Sequence, residues 1–501
     1  MNIFRFVLIA ALALGIRASA AETIKIRVYH TNDVHGWIMT RPDKFQTNRL
    51  IGGGAVLAAL IAKETGPRLV LDAGDWWQGT PEGNLTKGAA VADVFNAIGY
   101  DAIVVGNHEY DTGAEDLRAL IARMKMPVLS ANTYGADGKL VPWVQPWIVK
   151  EVGGVKFGIF GVTTSNMRRL AFPKNISGLD FRREVDVARE AVKALRRRGA
   201  TVIIAVTHMG LEGENQKFEG DQTLAREAPG IDLIVGGHSH TFLNRPIRGE
   251  NGTLIVQAGS YLVKAGRTDL EIDPATKKVV ASNDELLELW PDRVGEDPVV
   301  KAIIARHTEA VGKMFETVVA TAPALMGREP DRENALGDWM TDCYRESLGA
   351  DAALQNGGGI RAEIPAGPVT LRTLFNVMPF DNTMVLLRMK GSDLRAVFDH
   401  GMGMGKIAQV SGASIEYYRP KPAGERLAAV SVGGAPLDDS KVYSVVTLDF
   451  LTNGGDGYSV FDRFVSSETT GALARDLLDS CARKQGVVSA PAAGRLKQRE
   501  N

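Results

Sequence analysis

The chain has 501 residues and carries 58 Lys and Arg against 59 Asp and Glu, a formal net charge of -1. With 45% hydrophobic and 23% charged residues, it reads as a globular protein long enough for two or three domains. This excludes a disordered chain and leaves no broad basic field for a nucleic-acid polymer.

At the N-terminus Arg5 precedes the apolar run FVLIAALALGI, and Ala18 to Ala20 (ASA) form an A-x-A arrangement ahead of Ala21. Together they describe a secretory signal peptide over residues 1–20. The run is shorter than the roughly 20 residues that a membrane span needs, and an uncleaved anchor is the alternative reading. An exported, periplasmic or secreted protein with no stable membrane span is expected.

Residues 22–290 alternate β-rich runs with helical patterns. IKIRVYH, RLVLDAG, AIVVGN, PVLSAN, KFGIFGV, TVIIAVTH and DLIVGGH are the strand-like runs, and REVDVAREAVKALRRR is helical between two of them. This is an α/β pattern of buried strands, in which ligands gather beyond the carboxyl ends. The turn-rich PDRVGEDP breaks the pattern, and VVKAIIARHTEAVGKMF suits one helix, so a helical linker is placed at 291–315. A second domain is placed at 316–495, with Gly-rich loops in NGGGIR and TNGGDGYS. Cys343 and Cys481 could pair in an oxidising compartment, but Cys343 would equally serve as a small buried hydrophobe.

Five of the 8 histidines follow apolar runs. In TNDVHG, Asp33 and His35 stand two apart at a fraying strand end, where residues i and i+2 project to the same side, so a carboxylate and an imidazole converge on one point. DAGD ends on Asp75, GNHE carries Asn107 and His108, THMG carries His208, and GGHSH carries His238 and His240. Mixed His, Asp and Asn donors favour Mn, Zn, Co or Fe over Ca or Mg. Each cluster alone also fits a structural histidine or a helix cap.

Taken in order, D-x-H, G-D, G-N-H-E, H and G-H-x-H resemble the calcineurin-like metallophosphatase superfamily. The resemblance implies a layered β-sandwich flanked by helices, with two divalent metal ions. One would be held by Asp33, His35, Asp75 and His240, and the other by Asp75, Asn107, His208 and His238. His108 would face the phosphoryl group, oriented by Asp111. Two ions roughly 3.5 to 4 Å apart suit phosphate-ester hydrolysis by metal-activated hydroxide. The second half resembles the 5'-nucleotidase family, through Arg332 of REN, Asn356 and Arg361 of NGGGIR, Phe380 of MPFDN, and Phe450 and Asp456 of FLTNGGDGY. It implies a separate α+β nucleoside-binding domain with a base between two aromatic faces and the ribose on Asp456.

The residue types agree with that implication, although Phe380 and Phe450 would also suit a core and the glycines would suit turns. The expected activity is hydrolysis of nucleoside 5'-monophosphates. The same architecture would serve a 2',3'-cyclic-nucleotide phosphodiesterase with 3'-nucleotidase activity, a UDP-sugar hydrolase, a thiosulfate hydrolase or an inactive secreted nucleotide-binding protein. The paired Phe residues and the complete ligand set speak against the last two. The chain departs from the family pattern at Asp338, where Asn is usual. Trp76 and Trp77 read as packing against a neighbouring loop, with walling of the metal cleft as the alternative, and GMGMGK at Gly401 to Lys406 reads as a flexible loop, lacking the Ser or Thr of a phosphate loop.

Overall fold

Strand and helix patterns in the first half resolve into four layers. The computed structural model describes residues 22–43, 46, 48–212 and 219–500, and the predicted signal peptide at 1–20 lies outside them. Among these residues one six-stranded sheet has the order Val279–Glu288, Lys264–Ile272, Ile24–Thr31, Arg68–Asp72, Ala102–Val104, Val128–Leu129. The second has the order Ile247–Arg248, Leu254–Val256, Leu233–Gly236, Val202–His208, Val155–Thr163, Trp147–Val152. The last four strands of the first sheet are parallel to one another, as are the four from Leu254–Val256 to Val155–Thr163 in the second.

Strand alternation divides the apolar side chains between two surfaces. Val28, Leu71 and Val104 of the first sheet meet Phe157, Ile204 and Val235 of the second in one core. Their sequence neighbours Tyr29, Val70 and Ile103 face outward and are covered by helices Gly54–Ala62, Ala89–Ile98 and Pro298–Val311. On the opposite side Ile203 and Ile234 pack under helices Glu184–Arg197 and Asp221–Glu227. Burial of each large aliphatic side chain contributes about 1.5–3 kcal/mol, so both faces of both sheets must be covered. The result is the layered α/β sandwich that the resemblance implies.

Helix Pro298–Val311 shows how the turn-rich break ends. Asp297 accepts hydrogen bonds from the Val299 and Val300 amides at 3.0 and 2.9 Å, and Pro298 fills the first helical position, where no amide is needed. Val300 and Ile304 of this helix belong to the first core.

The second half has its own core. A sheet ordered Gln409–Ser411, Ala352–Gln355, Val442–Leu448, Thr383–Lys390, Ser466–Leu473 packs with helices Ala335–Leu348, Gly391–Met402 and Ala474–Gln485. Helix Ala335–Leu348 starts regularly despite Asp338, because the Asn334 side chain caps the Gly337 amide at 2.8 Å. Cys343 and Cys481 form a disulfide, with Cα atoms 5.8 Å apart across 138 residues of sequence. It joins helix Ala335–Leu348 to helix Ala474–Gln485.

Candidate active site

The ligand candidates converge where the parallel strands end, but by a different device from strand alternation. The pleat stops at Thr31 and at Gly236, and the residues beyond adopt left-handed backbone: φ is 52° at Asp33, 50° at His35, 58° at Asp75, 77° at His238 and 55° at His240. Ten non-glycine residues have positive φ among those described, and these five together with Asp456 make up most of them. Such backbone costs about 1–3 kcal/mol per residue and persists only where surroundings impose it. Here the amides of Asp33 and His35 donate to the Gly74 and Asp75 carbonyls, both at 2.9 Å. Gly74 itself has φ +90°, and a Cβ there would lie 2.7 Å from His208 Nδ1.

Two donor clusters result. Asp33, His35 and His240 form one, and Asp75, His208 and His238 form the other, each with donor atoms within 4.8 Å of one another. Asp75 Oδ2 lies 3.5 Å from His35 Nε2 and 3.1 Å from His208 Nε2, so one carboxylate reaches both. Asn107 Oδ1 joins the second cluster, 3.2 Å from His208 Nε2 and 2.8 Å from His238 Nδ1.

The surroundings fit divalent cations. His35 Nδ1 is 2.8 Å from the Gln78 carbonyl oxygen and His208 Nδ1 is 2.6 Å from that of Ala73. A carbonyl only accepts, so Nδ1 carries the proton and Nε2 of each ring points into the cluster. Burial, with Arg361 nearby, holds His35 and His240 well below the usual histidine range. Burial presses His208 down as well, but Asp75 lifts it to about 10. Asp33 and Asp75 are almost fully buried, and with them Asp72 and Glu109. Asp33 and Asp75, buried among imidazoles, make a donor set that calls for positive charge.

His108 stands at the edge of this centre. Its Nδ1 is 2.8 Å from Asp111 Oδ2, and its amide donates to Asp75 Oδ1 at 2.9 Å. The carboxylate fixes the tautomer and leaves Nε2 free for a substrate. The adjacent Glu109 carries a part that the sequence reading left unassigned. Its buried carboxylate accepts from the amides of Asp75, Trp76 and Gly106 at 2.9, 2.7 and 2.7 Å. It thereby holds the loop that presents Asp75, and its place in G-N-H-E beside His108 was the available signal.

A cavity of about 810 Å³ runs from Asp75, Asn107, His108, His238 and His240 to residues of the second half. Asn356, Arg361, Phe380, Phe450 and Asp456 all line it. Asn356 Nδ2 donates to Asp456 Oδ2 at 2.7 Å, and the His108 and Phe380 ring centroids are 5.7 Å apart. Arg361 places Nη2 3.0 Å from His35 Nε2 and its guanidinium carbon 5.7 Å from the Phe380 ring. The halves also meet where Asn84 donates to the Pro379 carbonyl at 2.9 Å and where Tyr261 donates to that of Arg361 at 3.0 Å.

Arg332 is not brought to the cavity. Its side chain is 70% exposed and pairs with the neighbouring Asp331 at 3.2 Å. Earlier in the same loop, Arg328 donates to the Ile360 carbonyl at 3.2 Å and adds to the positive field that lowers His240. The GMGMGK segment is loop only from Gly403 onward. Gly401 and Met402 close helix Gly391–Met402, while Met404, Gly405 and Lys406 form cavity wall. Trp76 is wholly buried, and Trp77 packs against Gly88 and Leu120 while also reaching the cavity.

One carboxylate shared by two His-rich clusters, with a His–Asp pair beside it at the rim of a β-sandwich, defines a dimetal phosphoesterase. Residues 26–242 match the calcineurin-like phosphoesterase family, and residues 318–463 match the 5'-nucleotidase C-terminal domain. The chain belongs to the 5'-nucleotidase family. It is 30% identical to a snake venom 5'-nucleotidase from Gloydius brevicauda, over 95% of this chain and 89% of that protein. The crystal structure of a 5'-nucleotidase precursor from Thermus thermophilus superposes with a TM-score of 0.88 at 30% identity, covering 95% of this chain and all of that one. A sulfate thiohydrolase of the same genus shares the fold, with a TM-score of 0.82 at 21% identity over 95% of this chain and 97% of that one.

Proposed function

We propose that the protein is an exported phosphohydrolase that releases phosphate from nucleoside 5'-monophosphates. The observation that carries this reading is the single cavity with paired donor clusters at one end and Phe380, Phe450 and Asp456 at the other. The metal-holding unit is taken as residues 22–290, the linker as 291–315 and the nucleoside-binding unit as 316–495.

Asp33, His35, Asp75 and His240 would hold one divalent ion, and Asp75, Asn107, His208 and His238 the other. When bound, the pair supplies an acidified water and positive charge for in-line displacement at phosphorus. The chain's own groups do the rest. Phe380 and Phe450 hold the base between their faces, and stacking contributes about 1–3 kcal/mol whatever the base. Asp456 accepts from ribose hydroxyls. Arg361, between the metal end and Phe380, neutralises phosphate charge and fixes its approach. His108, oriented by Asp111, stabilises charge on the phosphoryl group and the leaving 5'-oxygen.

Export is supported by the sequence at residues 1–20 and by the disulfide, which suits an oxidising compartment. Among the described residues no helix is long and apolar enough to cross a membrane.

The test is phosphate release by the Mn-reconstituted protein from AMP and 3'-AMP, with product chromatography for 2',3'-cyclic AMP, UDP-glucose and bis-p-nitrophenyl phosphate, against a chelated control. Chelator-sensitive turnover fastest on AMP is expected. Activity confined to bis-p-nitrophenyl phosphate would retain the metal centre but reject the nucleoside pocket.

A further inference from the structure

We propose that Phe172, on the metal-holding half, is a third wall of the nucleoside slot and sets the preference for phosphate esters that carry a base. The inference rests on the nucleotide reading above. Residues Arg169 to Asn175 belong to the first half of the chain but lie against the second. Phe172 meets Phe450 edge to face, with ring centroids 5.9 Å apart and planes at 77°. It lines the same cavity as Phe380, Phe450 and Asp456.

Both ends of this segment are fastened to groups of the site. Arg169 Nη2 donates to the Asp456 carbonyl oxygen at 3.2 Å. That guanidinium lies so close to Gly457 that a Cβ there would sit 2.8 Å from Nη2. At the other end Asn175 Nδ2 donates to the Asp111 carbonyl oxygen at 2.7 Å, on the residue that orients His108. Phe172 is thus held between the histidine's partner and the ribose-facing carboxylate. Its ring is half-buried and belongs to none of the apolar cores of the described residues, so core packing does not account for it.

A base stacked between two ring faces still presents its edge, and a third ring set across the slot meets that edge in the geometry aromatic groups prefer. A purine offers a longer edge than a pyrimidine, and a bare ribose offers none. Because Phe172 comes from the half that holds the metal ligands, it touches the base only where the phosphate also faces those ligands. The contact therefore registers in kcat/KM.

The experiment compares kcat/KM for AMP, UMP and ribose 5-phosphate in the Mn-loaded wild type, Phe172→Ala and Phe172→Tyr. The ratio of AMP to ribose 5-phosphate should fall about tenfold in Phe172→Ala, equal to about 1.4 kcal/mol. The UMP ratio should fall less, and Phe172→Tyr should keep both ratios near wild type. A ratio unchanged in Phe172→Ala, whether or not the absolute rates drop, overturns the proposal. A wild type that does not prefer AMP over ribose 5-phosphate rejects the nucleotide reading itself, an outcome separate from any effect of the variants.

Discussion

The two ends of the cavity are built by opposite means. At the metal end every donor lies at or just beyond a strand terminus in one of two sheets; five of the seven are buried, and five (Asp33, His35, Asp75, His238 and His240) sit in costly left-handed backbone. At the nucleoside end Phe380 and Phe450 are half-buried and sit on loop and short-helix backbone. The Phe380 loop is held by side chains of other segments, Arg475 Nη1 donating to the Met378 carbonyl at 3.2 Å and Asn84 to that of Pro379 at 2.9 Å. The difference fits the work proposed for each end. Displacement at phosphorus needs donors fixed within a fraction of an ångström, whereas stacking tolerates different bases and small shifts.

The largest test removes the carboxylate shared by both clusters. Asp75→Asn should lower turnover by about a thousandfold or more, since both ions lose a charged donor, and elemental analysis should find less than two bound ions per chain. Full metal content in that variant would mean the clusters do not share Asp75. His108→Ala should lower turnover by about 10²- to 10⁴-fold with metal content intact. Loss of metal there would make His108 a ligand and dissolve the division between binding and chemistry at that end.

Those motifs were legible because each is a short run at the end of an apolar strand, where order along the chain preserves order in space. The sequence did not reveal why Asp33 and His35 converge, since alternation and left-handed backbone leave the same spacing. It misplaced Arg332, because the turn between Arg328 and Asn334 decides which arginine faces inward, and such turns are set by tertiary contacts. It missed Phe172, Asn84 and Tyr261 for a related reason: each acts across the two halves, and nothing local marks a residue whose partner lies a hundred or more positions away.

Two further effects separate the halves. Cys481→Ala opens the disulfide that ties the helices of the second half and should cost about 2–5 kcal/mol of stability. Denaturant unfolding should show that loss while metal content stays constant, and a parallel loss of metal would mean the halves are coupled more tightly than their separate cores suggest. Phe450→Ala removes one stacking face and should reduce the AMP to ribose 5-phosphate selectivity by about tenfold or more in steady-state assays. A uniform fall on both substrates would place Phe450 in packing alone.

The smallest effect lies at Asp338, where the chain departs from the family's usual Asn. Its carboxyl is buried, and burial, reinforced by Glu333 and Asp342, outweighs Arg495 and lifts it to about 7. Arg495 offsets part of this from 3.8 Å, while its guanidinium is also engaged by Asp342 at 2.7 Å. The folded-state pKa is therefore above the unfolded one, so the folded protein retains a proton that the unfolded chain releases. Stability from this group is fully present below about pH 4, falls as pH rises towards 7, and is level above it. Asp338→Asn should flatten that decline in melts compared at pH 5 and pH 8, with and without chelator. The chelator matters because Asp33 and Asp75 of the first half answer to metal, whereas Asp338 does not; buried Asp221, lifted to about 7 outside the donor clusters, adds a decline of the same sign that Asp338→Asn leaves in place. A decline undiminished in Asp338→Asn would remove Asp338 as a source of the pH sensitivity, and one that vanishes only when metal is present would move it to the metal end.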